Sequence, residues 1–242
     1  MAIDLTDRVC VVTGAARGIG AAVVRGFAER GAKAIATDIN LPAIETAAAN
    51  LTWDVTDHKA AEQTVKQIVN QHGRLDAFIA NAGYYPLSNW DEITYDSWHK
   101  IMDINLHGAW YGVRAAADAM VKQGYGKIVI VSSIQVDAGP TQQIPYTIAK
   151  SGLIGMTRCM SRALGGHGVR VNAILPGAVL TEGELELGLD QEQTRENMAK
   201  AQCLPDRLLP EGVEPTFAFL CSSESDAITG QAICVDHGLI HW

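Results

Sequence analysis

Tyr146 and Lys150 stand four residues apart in the run Tyr-Thr-Ile-Ala-Lys, a spacing that places two side chains on one face of a helix. A phenol ordinarily titrates near pH ~10, and a fixed ammonium within about 4–6 Å lowers that value. The pair therefore predicts a tyrosine usable as an acid or base near neutrality. Upstream, Ser132 and Ser133 close the apolar run Lys127–Val131. The Ser133 hydroxyl is suited to donate to a carbonyl oxygen while Tyr146 gives or takes the proton, and two donors on one oxygen stabilise an alkoxide. Taken singly, the Tyr–Lys pair reads as two surface residues of one turn, and Ser133 as a strand-end cap.

A second constellation lies near the N-terminus. Val9-Cys10-Val11-Val12-Thr13 runs into Gly14-Ala15-Ala16-Arg17-Gly18-Ile19-Gly20 and then into a helical stretch. Glycines there allow a tight turn and bring backbone N–H groups to a pyrophosphate, and the helix that Ile19 opens adds its positive dipole end. Asp38 closes the next apolar run, where an acid accepts from both ribose hydroxyls of NAD and repels the extra phosphate of NADP. Arg17 argues the other way, as a cation able to reach a 2′-phosphate. Asp54 in Trp53-Asp54-Val55 is placed to accept from an adenine amino group, and Asn81-Ala82-Gly83 lets the backbone pass close to a ribose. Each of these also serves as an ordinary turn, so their weight lies in the set.

These residues need a scaffold that gathers strand ends. The runs Val9–Thr13, Lys33–Asp38, Asp76–Asn81, Lys127–Ser132, Arg170–Leu175 and Ala232–Val235 read as buried strands. Ile19–Arg30, His58–His72, Thr94–Lys122, Tyr146–Gly165 and Glu211–Cys221 read as helices between them. Such alternation predicts a doubly wound α/β fold, a parallel sheet with helices on both faces and ligands at the strand C-termini. Thr181–Pro210 departs from the rhythm. It is expected to form a lid, with Asp190-Gln191-Glu192-Gln193 as a capping box opening a helix to about Cys203.

Composition sets the outer bounds. The 242 residues carry 19 Lys+Arg against 27 Asp+Glu, a net charge of −8, with 48% apolar and 19% charged residues. That predicts one globular domain over residues 1–242 and excludes disorder. No apolar run is long enough for a membrane span, and an acidic surface disfavours nucleic acid. Met1 to Asp7 has no basic region with an apolar run behind it, and the five cysteines never form a Cys-x-x-Cys pair, so a reducing, cytoplasmic setting is expected. The seven histidines show no ligand spacing, and no metal site is expected.

The ordered set Thr13-Gly14-x-x-x-Gly18-Ile19-Gly20, Asn81-Ala82-Gly83, Asn105, Ser133, Tyr146-x-x-x-Lys150 and Pro176-Gly177 resembles the short-chain dehydrogenase/reductase family across essentially the whole chain. The resemblance implies a Rossmann sheet and a nicotinamide cofactor, with Tyr146 as the general acid/base and Ser133 orienting the carbonyl oxygen. It implies that Lys150 lowers the tyrosine pKa and binds the nicotinamide ribose, and that Asn105 holds a water relaying protons through Lys150. Pro176, Val179 and Thr181 match the stretch that holds the nicotinamide carboxamide, and similar proteins are commonly tetramers. Three departures stand out. The interval from Asp38 to Asp54 is short, predicting an abbreviated second crossover helix and third strand. Ala80 replaces a usual Asn, and His237 a usual Gly, with the tail from His237 to Trp242 expected to pack at a subunit interface in its own way.

Tyr84-Tyr85-Pro86-Leu87 and Trp90-Asp91-Glu92 look similar to the family branch that acts on aryl or cyclic secondary alcohols, such as 1-phenylethanol and pyridoxal dehydrogenases. The lid, with seven acids, three bases and a leucine-rich apolar content, suits a neutral apolar alcohol or ketone. The alternatives are a polyol or sugar dehydrogenase, a 3-oxoacyl thioester reductase and a non-catalytic NAD-sensing regulator. Asp38→Ala is expected to relax the NAD preference, read as the ratio of reduction rates with NADP and NAD. An unchanged ratio assigns the choice to Arg17.

Overall fold

Seven short runs of β-branched and other apolar residues form one parallel sheet in the computed structural model, which describes residues 3–241. The strands are β1 (Val9–Thr13), β2 (Lys33–Asp38), β3 (Ala49–Thr52), β4 (Ala77–Ala80), β5 (Gly126–Val131), β6 (Val169–Pro176) and β7 (Ala232–Val235), in the order β3-β2-β1-β4-β5-β6-β7. The register pairs Val11 with Ile35 on one side and with Phe78 on the other. Side chains alternate between two cores. Cys10, Val12, Ile79 and Val131 face one core, while Val9, Val11, Phe78 and Ile130 face the second.

Helices cover both faces because neither could remain wet. α1 (Gly18–Glu29) lies on the first face; α2 (His58–His72), α4 (Gly108–Gln123) and α6 (Ile144–Leu164) pack on the second. Between them in sequence come α3 (Tyr95–Met102) and α5 (Gln135–Ala138); α7 (Glu182–Leu185) and α8 (Gln191–Ala201) follow β6, and α9 (Pro210–Cys221) packs on α1. The chain direction across the sheet reverses between β1 and β4, which opens a crevice at their C-terminal ends.

Several expectations need correction. The segment 39–48 between β2 and β3 contains no helix at all. Asn50 clamps it instead, accepting from Ile44 N at 3.2 Å and donating to Ile44 O at 3.1 Å. The stretch expected as one helix from Thr94 to Lys122 is interrupted at Asp103–His107 by a wider π-type turn. Asp76 precedes β4, its buried carboxylate accepting from Val9 N at 2.9 Å and from the Arg74 guanidinium. In the lid, Asp190 accepts from Glu192 N and Gln193 N, both at 3.0 Å, but Gln193 reaches forward to Asn197, so the capping box is only half formed.

The tail from Asp236 packs on its own chain. Leu204 N donates to His237 O, the Asp236 carboxylate accepts from Gly238 N and Ile240 N, and Leu239 and Ile240 lie against Ile134 and Leu175. His237 has φ +56°, the left-handed region that favours the glycine it replaces. Met1, Ala2 and Trp242, part of the terminal readings above, lie outside the described residues. Among the described residues no helix is long and apolar enough to cross a membrane.

Close approach of α4 to the sheet depends on Gly112, where an added Cβ would lie 2.6 Å from Phe78 Cζ. Alanine gains about 1 kcal/mol in helix propensity, but overpacking beside a fully buried phenylalanine costs about 1–3 kcal/mol. Gly112→Ala is therefore expected to lower stability, measured by urea unfolding.

Candidate active site

The turn after β1 is shaped by what glycine permits. Gly14 and Gly18 have φ of +65° and +57°, and a Cβ on Gly14 would lie 2.6 Å from Ala82 Cα. Asn81, just past β4, locks this turn: its Nδ2 donates to Thr13 O at 2.9 Å and Gly14 O at 3.0 Å. Thr13 Oγ1 answers by accepting from Asn81 N at 3.0 Å and Ala82 N at 3.2 Å. Asn81 thus acts on the turn itself, a use its sequence position did not reveal.

Asp38 ends β2 beside the same turn. One carboxylate oxygen accepts from Ala16 N at 3.1 Å and the other from Asn40 N at 3.0 Å. Asp54 accepts from both Thr56 N and Thr56 Oγ1, at 2.9 and 2.8 Å. Gly14, Asp38, Asp54, Val55, Ala82 and Gly83 share the wall of a cleft of about 640 Å³. The donor set suits a dinucleotide: turn N–H groups and a helix N-terminus for phosphates, carboxylates for ribose and adenine, and glycines where side chains would fill the cradle.

The acid/base residues meet at the neighbouring strand ends. Tyr146 and Lys150 lie in the first two turns of α6, and the Ser132 hydroxyl ties this helix to β5 by donating to Lys150 O at 2.9 Å. Ser133, in the next position, hydrogen-bonds the Tyr146 side chain and accepts from Gln135 N at 3.2 Å. Lys150 Nζ donates to Val131 O at 2.8 Å and lies 5.5 Å from the centre of the Tyr146 ring. Lys150 is buried and Tyr146 half-buried at the strand ends, and desolvation dominates the titration of both. It pulls Lys150 down to about 7. The same burial holds Tyr146 well above the ordinary phenol range, against the opposing hydrogen bond from Ser133. The expected lowering of the tyrosine by Lys150 is therefore not what this arrangement displays; desolvation raises it and the Ser133 hydrogen bond is the opposing influence.

Asn105 sits in the π-type turn, fully buried. Its Nδ2 donates to Tyr84 O at 2.7 Å and Ile101 O at 2.9 Å, and its Oδ1 accepts from Tyr84 N at 3.2 Å. Both amide hydrogens are engaged, so any water here would be met by Oδ1. Gly83 is exposed on one side and faces Asn105 and Lys150 on the other; a Cβ there would lie 3.1 Å from Asn105 Oδ1 and 3.6 Å from Lys150 Nζ.

Pro176 ends β6, Val179 pairs with Leu208 at the base of the segment 181–210, and Thr181 caps α7 by accepting from Glu184 N at 3.2 Å. Ile19 stands in the first turn of α1, half-buried against the first core. Three contacts have no counterpart in the sequence reading. Arg17 forms a fork-on-fork ion pair with Glu186, Gly18 N donates to Glu182 at 3.0 Å, and Tyr85 hydrogen-bonds Thr181 while its ring lies 5.6 Å from that of Tyr146. The four-residue spacing of Glu182 and Glu186 was the available signal, since it puts both acids on one face of a helical turn.

Known proteins share this architecture. A family profile described as enoyl-(acyl carrier protein) reductase matches residues 14–240. The chain is 35% identical over 246 residues to a 3-oxoacyl-(acyl-carrier-protein) reductase of Thermotoga maritima, covering 98% of this chain and 99% of that protein. It is 35% identical over 247 residues to an L-rhamnose 1-dehydrogenase (NAD(P)(+)) of a Sphingomonas species, covering 97% of each. The structure of an aldohexose dehydrogenase from Thermoplasma acidophilum superimposes with a TM-score of 0.92 at 28% identity, over 99% of this chain and 96% of that one. The chain belongs to the short-chain dehydrogenase/reductase family, and is an oxidoreductase that acts on CH–OH groups with a nicotinamide cofactor.

The depressed Lys150 has a measurable sign. Its folded pKa of about 7 lies below the ordinary lysine value near 10.4, so between these values the unfolded chain holds a proton that the folded chain has released. This group therefore makes stability rise as pH increases from about 7 toward 10. Urea unfolding at pH 7 and pH 9.5 should show that rise, and Lys150→Met should flatten it.

Proposed function

We propose that the chain is an NAD-dependent dehydrogenase acting on an apolar secondary alcohol, aryl or cyclic, or on its ketone. The observation that carries this reading is the Tyr85 side chain. Its ring lies beside Tyr146, while its hydroxyl is engaged by Thr181 of the lid. It thus offers an aromatic wall to whatever sits over Tyr146 and Ser133, a surface that favours a flat or cyclic apolar group.

In this reading the dinucleotide is held by the backbone of Gly14, Gly18, Ile19 and Gly20 at its phosphates, a phosphate oxygen replacing the Glu182 carboxylate on Gly18 N. Asp38 takes the adenosine ribose, Asp54 and Val55 the adenine, and Asn81 and Gly83 the backbone step past the second ribose. Tyr146 and Lys150 hold that nicotinamide ribose, and Pro176, Val179 and Thr181 the carboxamide. A nicotinamide held there would supply the hydride exchange with the carbinol carbon of an alcohol or the carbonyl carbon of its ketone. Tyr146 takes the hydroxyl proton in oxidation and gives it back in reduction, and Ser133 donates to the same oxygen throughout. The protonated tyrosine favoured by burial is the form that reduction requires. Oxidation requires the phenolate, which Lys150 stabilises in its protonated form. Asn105 fixes the backbone at Tyr84 and Ile101 beside Lys150, and its Oδ1 serves a relaying water.

Asp38 supports NAD over NADP, and an odd number of cysteines with no Cys-x-x-Cys spacing supports a reducing, cytoplasmic setting. Residues 1–242 would work as one domain, most simply in a homotetramer, for which the exposed Trp110 on α4 and Ile148 on α6 offer apolar surface. A polyol or sugar substrate is the second reading, favoured by the relatives named for rhamnose and aldohexose and by the buried Gln143, whose side chain makes one long contact with Tyr85 O, at 3.5 Å. A 3-oxoacyl thioester follows from the Thermotoga relative. The juxtaposed Ser133, Tyr146 and Lys150 speak against a pure NAD sensor.

Absorbance of reduced nicotinamide, followed with aryl, cyclic and aliphatic alcohols, sugars and 3-oxoacyl thioesters, separates these readings. Fastest turnover of an aryl or cyclic alcohol is expected; fastest turnover of a sugar would replace the first reading with the second. Tyr146→Phe should lose at least about 10²-fold in turnover while still binding NAD. Near-normal turnover of that variant would remove Tyr146 from the chemistry.

A further inference from the structure

Arg17 is the cation of the phosphate-binding turn, and it is already occupied. Its two terminal nitrogens face the two carboxylate oxygens of Glu186, with Nη2 at 2.8 Å from Oε2. The partner comes from the far end of the chain, at the C-terminal boundary of α7. Four residues earlier on that turn, Glu182 accepts from Gly18 N at 3.0 Å, and the Thr181 methyl lies where a Cβ on Gly18 would be 3.3 Å away. The lid therefore meets the glycine turn along one face of α7, which fixes where Glu186 stands.

The location matters because of what lies next to it. Ala16, immediately before Arg17, donates its N–H to Asp38 at 3.1 Å. Asp38 is the carboxylate assigned above to the adenosine ribose, so Arg17 follows directly on the residue that bounds the ribose position. A 2′-phosphate at that ribose would carry up to two negative charges against Asp38 and would need a cation to neutralise them. Glu186 withdraws the cation and adds a charge of the wrong sign.

We infer that Glu186 is a cofactor-specificity residue, excluding the 2′-phosphate of NADP by holding Arg17 in an ion pair. The inference rests on the NAD reading given under Proposed function, and it adds a determinant on the lid to the one on β2. Arg17 and Glu186 are 51% and 60% exposed, and exposed pairs are worth little. The effect on NADP is therefore a factor of about two to five, smaller than that of Asp38.

Isothermal titration calorimetry of the whole protein with NAD and with NADP tests this without reference to turnover. Glu186→Gln removes the charge and keeps the side-chain shape. It is expected to tighten NADP binding about two- to five-fold and to change NAD binding by less than that. In the double variant Arg17→Gln, Glu186→Gln, the gain should vanish. Glu182→Gln, which hydrogen-bonds the Gly18 N–H and acts on Arg17 only through its charge, should change the NADP-to-NAD ratio by less than Glu186→Gln does. An unchanged NADP-to-NAD ratio in Glu186→Gln overturns the inference. An equal shift for both cofactors also overturns it, because Glu186 would then only fasten the lid. A wild-type protein that binds NADP more tightly than NAD refutes the underlying NAD reading instead, a result visible before any variant is made.

Discussion

The amide of Asn81 holds two strand tips together, and the rest of the site takes its position from that clamp. It donates to consecutive carbonyls of Thr13 and Gly14, while the Thr13 hydroxyl accepts from the backbone of Asn81 and Ala82. Each bond contributes only about 1 kcal/mol net. Their joint effect is geometric: the end of β1 and the end of β4 become one rigid piece at the reversal of strand order, with the glycine turn on one side and Gly83 on the other. Lys150 and Asn105 then lie against Gly83, where an added Cβ would meet Asn105 Oδ1 tightly at 3.1 Å. A shift of either strand tip would be felt at both the phosphate turn and the acid/base residues.

Much of this was legible from the chain. Val9–Thr13, Lys33–Asp38, Ala232–Val235 and the helix His58–His72 have the bounds their patterns predict, because each is a single period with clear breakers at its ends. The parallel order followed from repeated βα units, and the gathering of Ser133, Tyr146 and Lys150 followed from strand ends and helical spacing. What was not legible depends on tertiary contact. The π-type turn at Asp103–His107 carries no Pro or interior Gly to announce it; it exists because Asn105 finds Tyr84 and Ile101. Likewise, no local pattern shows that Glu186 meets Arg17 across the crevice. The short interval between Asp38 and Asp54 was visible, but it removes the helix outright, since ten residues at 39–48 must also return the chain to the sheet edge.

The Tyr146–Lys150 pair shows where sequence reasoning takes the wrong term as dominant. Spacing identifies which two groups meet but says nothing of the dielectric around them. Burial drives both toward their uncharged forms, the tyrosine upward and the lysine downward. An anionic ligand beside the lysine would restore its charge and, through it, the phenolate. The protonation state of the site is thereby made to depend on what lies next to Lys150.

The π-type turn has a consequence for the length of the chain. A π turn contains one residue more than an α turn, so α3 and α4 are set about 100° out of phase with the single helix they would otherwise form. Deleting one residue from 103–107 would give a more regular helix and rotate α3 relative to α4 by that angle, swinging Asn105 away from Tyr84 or Ile101 away from Asn105. Insertions and deletions in this stretch are thus constrained by rotation and not by length. The irregularity works as a counted spacer, correct at one number of residues and wrong by a quarter-turn or more on either side.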